Sequence, residues 1–172
     1  MRAGGRILVL LAVLAGLSGG ATASAEPVCD NGLRFSMGDG DAAMGLRVVQ
    51  VQVLNCGPES LQLNGYPQVQ LLDEDRRPLT VDILEGSGGI SSVEGFDDPP
   101  QPITVLPGET AKSAFMWKNR NTGEVEPQLA RYADMAAAPG GTWYDLAPRP
   151  GSTTLYIDLG TTGRLGVKAW HR

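Results

Sequence analysis

The chain is 172 residues long and acidic, with 14 Lys and Arg against 19 Asp and Glu and a formal charge of −5 at pH 7. Its basic residues are scattered, Arg76-Arg77 being the one adjacent pair before the end of the chain. That sign and that spacing argue against binding to nucleic acid or to an anionic lipid surface, both of which need clustered Lys and Arg.

The first 25 residues read as an export signal. Arg2 and Arg6 give a positive start and Ile7 to Leu17 an apolar run. Ala23-Ser24-Ala25 then puts small side chains where a signal peptidase needs them, which predicts cleavage after Ala25. The apolar run is about half the roughly twenty residues that a membrane-spanning helix requires. Lipid attachment would need a cysteine directly after the small residues, whereas Glu26-Pro27-Val28 stands before Cys29. The expected product is a secreted, extracellular chain of residues 26–172 with no transmembrane segment, long enough for one domain with a hydrophobic core. Cleavage removes two arginines and no acid, so the formal charge moves from −5 to −7.

Two cysteines in an exported chain argue for one disulfide, Cys29 to Cys56, because an oxidising compartment lets the bond persist and no third cysteine competes. Closing a loop of this length stabilises a fold by about 3 kcal/mol in the chain-entropy model. The competing readings are two buried thiols, or a metal pair, for which His171 is the one histidine on offer.

After the signal, short alternating segments are separated by turn residues, and no long segment carries helical periodicity. Leu46 to Leu54 is the clearest strand, with Val49, Val51 and Val53 alternating with Gln50 and Gln52. Leu61 to Leu63 and Val69 to Leu71 flank Asn64-Gly65-Tyr66-Pro67, a turn. A charged turn over Asp73 to Pro78 precedes a strand from Leu79 to Leu84. Glu85 to Pro102 is rich in Gly, Ser, Asp and Pro and is expected to be the longest loop, either a mobile connection or a binding element. Ile103 to Leu106 and Thr110 to Lys118 read as a hairpin or an inter-sheet corner, with Ala111, Ser113, Phe115 and Trp117 on one face. Glu126 to Met135 fits either a short helix or a strand. Thr153 to Leu159 and Leu165 to Trp170 read as a closing hairpin. The expected fold is all-β, an immunoglobulin-like antiparallel sandwich of about seven to nine strands.

Residues for catalysis are sparse. A Ser, Cys or Thr nucleophile needs a positioned base, and His171 is the penultimate residue. No Gly-x-Ser-x-Gly elbow, phosphate-binding glycine loop or His-Glu-x-x-His pattern occurs. Asp39 with Asp41, Asp73 with Asp75, and Asp97 with Asp98 sit among chain-breaking residues and read as solvated turn acids. Met37, Met44, Met116 and Met135 with His171 offer thioethers for Cu(I), and the acidic loops offer oxygens for calcium, but neither set has the spacing of a known site. No cofactor and no resident metal are therefore expected.

Several segments carry a resemblance. Cys29, Gly45 ahead of the valine strand, Leu54-Asn55-Cys56-Gly57, Leu63-Asn64-Gly65-Tyr66-Pro67, Leu106-Pro107-Gly108-Glu109 and a strand ending in Trp117 together resemble the actinobacterial secreted domain of unknown function numbered 4232. The closing run Asp158 to Val167 is similar to the tail of one branch of that family. Cys56 directly follows Asn55, whereas many members place this cysteine nearer the Gly-Tyr-Pro segment. The resemblance covers most of the chain after residue 28 and implies an exported β-sandwich without implying an activity.

The functional expectation is a non-enzymatic binding or interaction module of the cell envelope or extracellular space, whose partner is an envelope protein, a glycan or a small molecule. Tyr66, Trp143, Tyr144 and Trp170 are the candidate aromatic contacts, with Asp97 and Asp98 in the long loop as candidate polar ones. The alternative is a secreted copper or calcium binding protein or a carboxylate-dependent enzyme.

Overall fold

A computed structural model of the chain describes Met1 and residues 32–172 other than Glu124. The export signal, its cleavage after Ala25, and Cys29 lie outside the described residues.

The described residues form twelve strands and no helix. They are β1 (Leu33–Ala43), β2 (Leu46–Asn55), β3 (Leu61–Leu63), β4 (Gln68–Leu72), β5 (Asp82–Glu85) and β6 (Ile103–Val105), then β7 (Thr110–Lys118), β8 (Leu129–Ala130), β9 (Tyr132–Ala136), β10 (Tyr144–Ala147), β11 (Ile157–Asp158) and β12 (Arg164–Val167). Eight of them make one sheet in the order β4-β9-β10-β1-β2-β7-β12-β5, while β3 with β6 and β8 with β11 form two short ladders. The all-β, sandwich-like expectation holds, with twelve strands against the expected seven to nine, β1, β10 and the two-residue β8 and β11 among them. Antiparallel pairing is not universal: β1 with β10 and β5 with β12 run parallel.

One face of the large sheet and the two short ladders enclose a continuous core. Alternation in β2 sends Val49, Val51 and Val53 inward, β7 sends Ala111, Phe115 and Trp117, and Phe35, Leu71, Met135, Leu165 and Trp170 meet them. Burying one such side chain stabilises the fold by about 1.5–3 kcal/mol, so this stripe is what fixes register. Ser113 is the polar residue in that stripe, and its hydroxyl donates to the Lys168 carbonyl at 2.7 Å. The sheet bends until residues of both its edge strands, Gln68 and Val69 of β4 and Ile83 to Glu85 of β5, line one small cleft with Tyr66.

The opposite face of β2 and β7 is covered by the segment after β5. Ile90 and Phe96 pack on Met116, with Val48, Leu84 and Ala114 beside them, as a second apolar cluster. Glu85 to Pro102 is therefore a fixed cover. Its start is tied to β12 by paired hydrogen bonds between Gly86 and Val167 at 2.8 and 3.1 Å, and the Asp97 carboxylate accepts from the Ser87 amide at 2.5 Å.

Two open alternatives are resolved, the inter-sheet corner and the strand, and one expectation, the closing hairpin, is corrected. Ile103 to Val105 and Thr110 to Lys118 do not pair with each other: β6 joins β3 and β7 joins β2 and β12, so Pro107-Gly108 turns an inter-sheet corner. The closing hairpin is absent for the same reason, β11 pairing with β8 and β12 with β7 and β5. Glu126 to Met135 resolves into β8 and β9, without a helix.

Candidate functional site

A concavity with an apolar floor lies at one end of the sandwich, where the β1–β2 hairpin projects. Met44 and Gly45 form its two-residue turn at φ of 44° and 81°, the positive values a type I′ turn requires. The register of β1 shifts between Met37 and Gly40, after which Gly40 faces Val49 and Ala42 faces Arg47. Arg47 thus continues the inward stripe Val53-Val51-Val49, and across the ladder it pairs with Trp117, the last inward residue of β7. The apolar core ends here, and a guanidinium takes the next inward position.

The far wall is the segment from Pro148 to Tyr156. With the hairpin it bounds a cleft of about 350 Å³, floored by Met37, Val49, Trp117 and Leu155, with Asp41, Arg47, Asn119, Arg149, Thr154, Tyr156 and Asp158 among the residues of its rim. Gly40 lets Arg149 approach the strand, since a Cβ there would lie 2.8 Å from the Arg149 Nη2 and 2.6 Å from the Val49 Cγ2. The Asp158 carboxylate is already engaged, one oxygen accepting from the Asn119 amide at 2.7 Å and the other from the Gly160 N–H at 3.0 Å. Arg131 stands 5.2 Å from the Tyr156 ring centre, a cation–π contact that steadies a ring 63% exposed. Arg47 donates to the Leu46 carbonyl at 3.0 Å, and neither Arg47 nor Arg149 is ion-paired with a described carboxylate.

The aromatic and acidic residues expected at a site are dispersed. Trp170 is a core residue, 2% exposed, with its indole N–H donating to the Ala137 carbonyl at 2.8 Å. Tyr144 is half-buried against Phe35, ring centres 5.9 Å apart, while its neighbour Trp143 is 49% exposed. Tyr66 lies in the small cleft between the sheet edges, and burial together with Glu85 and Asp97 holds its hydroxyl above the usual tyrosine range. Asp97 is the staple of the long loop: hydrogen bonds from Ser87 hold its carboxyl below the ordinary value. Asp98 is exposed beside Ile103, Lys168 and Trp170.

A carboxylate pair does exist elsewhere. Asp134 and Asp145 face each other across β9 and β10, burial and Asp145 pushing Asp134 up, while Arg76, bonded at 2.8 Å, holds Asp145 down. Neither lines the cleft just described. Among the described residues no three His, Cys, Asp or Glu side chains converge as metal ligands. Met37 and Met135 are in the main core, Met116 is in the outer cluster, and Met44 is at the hairpin tip. The thioethers proposed for copper therefore do not meet.

Cys56 sits at the end of β2, where its amide donates to the Gly32 carbonyl at 2.8 Å, so it lies against the segment that follows Cys29. There is no free cysteine among the described residues.

The sequence pattern of the family described as Domain of unknown function (DUF4232) matches residues 29–171. The chain belongs to this family. Its members share the domain that contains the cleft, and the description assigns it no activity. No curated protein matches the chain. Among solved structures, a crystal structure of Se-Met labelled beta-glucosidase from Kluyveromyces marxianus aligns at 11% identity and a TM-score of 0.33. That alignment covers 74% of this chain and 15% of the other. A likeness at that level carries no argument about function.

The sequence signal for Arg47 was present in the alternation of β2. Tyr156 falls on the polar side of the Thr153 to Leu159 alternation, opposite Leu155 and Ile157, whereas Arg149 carries no local signal because it comes from an irregular segment.

Proposed function

We propose that this member of the family is an exported, non-enzymatic binding module of the cell envelope or extracellular space, closed by a Cys29 to Cys56 disulfide, and that it takes its ligand at the open end of the sandwich. The supporting observation is the cleft itself: an apolar floor continuous with the core, left uncapped, with a few polar groups converging at the rim. Ligand sites are commonly of this size and character. On the covered face of β2 and β7, Ile90 and Phe96 pack over Met116, and the groove of about 480 Å³ beside them is more open, with Gln50, Glu94, Lys112 and Lys168 next to Val48 and Phe96.

Thr154→Trp, which places an indole in the cleft, tests the reading. A mixed set of amino-acid derivatives, oligosaccharides and short peptides is screened by ligand-observed NMR against the parent protein and the variant. Binders lost in the variant support the cleft, and a screen in which both proteins behave alike removes it. Intact mass of the exported protein tests the rest. The expected mass starts at Glu26 and is two hydrogens lighter before reduction than after it. A retained signal, a lipid adduct or two free thiols would overturn that part.

A further inference from the structure

We infer that the open-end cleft selects ligands that carry an oxyanion, a carboxylate or a phosphate ester, on an apolar body, and that Arg47 and Arg149 recognise the anion. This rests on the proposal that the cleft is the ligand site.

Register supplies the first support. An inward position at the end of the Val53-Val51-Val49 stripe calls for an apolar side chain, and Arg47 stands there instead. Its stem lies along the core edge while the guanidinium reaches the water of the cleft. The second support is Arg149, brought against β1 by the missing Cβ of Gly40. The two cations come from unrelated parts of the chain and line the same cavity.

Charge balance supplies the third. In a chain with five more acidic than basic side chains, an arginine facing inward would ordinarily find a carboxylate. The exposed Arg76, Arg77 and Arg172 pair with carboxylates, while Arg131 stacks on Tyr156 and Arg164 donates to the Gly88 carbonyl. Arg47 and Arg149 pair with no described carboxylate, and Asp158, which shares their cleft, directs its oxygens to the Asn119 amide and the Gly160 N–H. Asp41 lines both this cleft and the groove on the outer face, and because it stands across from Val48, which packs with the outer cluster, strand alternation sends its side chain toward the outer face. What remains is a rim with two guanidinium groups and one carboxylate committed to neutral donors, a net positive edge beside an apolar floor that an incoming anion relieves. A guanidinium presents paired N–H donors that match a carboxylate or phosphate edge.

The test uses the disulfide-bonded mature protein, isotope-labelled, titrated with phenylacetate, phenyl phosphate and the neutral isostere phenylacetamide, with amide shifts read across the sheet. The two anions are expected to shift amides of β1, β2 and residues 148–158 and to bind about tenfold or more tighter than phenylacetamide, the scale of one charge-assisted hydrogen bond. Their relative affinity separates the two anion chemistries. Arg47→Gln and Arg149→Gln should each remove most of that preference and leave phenylacetamide within about twofold. Arg47→Lys, which keeps the charge but not the fork, should lose part of it, and this variant guards against misfolding of the glutamine substitution.

Equal binding of phenylacetate and phenylacetamide, abolished for both by Thr154→Trp, would overturn the anion preference and keep the cleft. Anion shifts confined to the Lys112 and Lys168 face, unchanged in both glutamine variants, would overturn it by placing the attraction elsewhere. No shift at the cleft from either anion would also overturn it, whatever the mixed screen finds there.

Discussion

Residues 86–102 and residues 148–156 are both irregular connections rich in Gly, Pro and Ser, yet one seals the molecule and the other leaves it open. The first carries two large apolar anchors, Ile90 and Phe96, spaced so that both reach Met116, and an acid, Asp97, that fastens the loop to its own start. The second has Leu155 directed into the core but presents Arg149 and Tyr156 outward. Composition alone does not separate a cover from a rim. The number of apolar side chains that find a partner on the sheet does.

Breaking the cover is expected to have the largest effect. Phe96→Ala empties a site that is 3% exposed and should cost about 3 kcal/mol in denaturant unfolding, while ligand binding at the distant cleft persists. A cost below about 1 kcal/mol would mean that the loop is not a structural cover.

The staple gives a smaller, pH-dependent effect. Ser87 holds the folded Asp97 carboxyl below its ordinary value, so its contribution is present above the unfolded value of about 4 and is lost as pH falls through the folded one. Hydrogen-exchange protection at Ser87 and Ile90 should fall in that acid range, and Asp97→Asn should flatten the dependence. Unchanged acid sensitivity in Asp97→Asn would assign it to other carboxylates.

The smallest effect is expected at the rim. Thr154→Trp alters an opening that is already solvated, so unfolding free energy should stay within about 0.5 kcal/mol of the parent even as cleft binders are lost. A large destabilisation would show that residues 148–156 serve as cover too, and would erase the contrast between the two connections.

Much of the sheet was legible residue by residue. The valine alternation of β2 and the Ala111-Ser113-Phe115-Trp117 face of β7 are read directly from the period of two, and both lie where that period puts them. By contrast β1, which lies between β2 and β10 and carries the register shift, contains Gly38-Asp39-Gly40-Asp41, residues of low strand propensity that read as a turn. Pairing on both sides overrides that preference. Trp170 shows the converse: as an aromatic near the chain end it was a candidate contact, and the core took it because Ala137 offers its indole a carbonyl.

The sequence by itself determined the all-β class and the inward valine stripe of β2, because alternation is a local property of the backbone. The parallel pairings, the cover over Met116 and the presence of Arg47 and Arg149 on one cleft were decided only by tertiary structure. Each joins residues far apart in the chain, and no local pattern encodes which distant surface a side chain will meet.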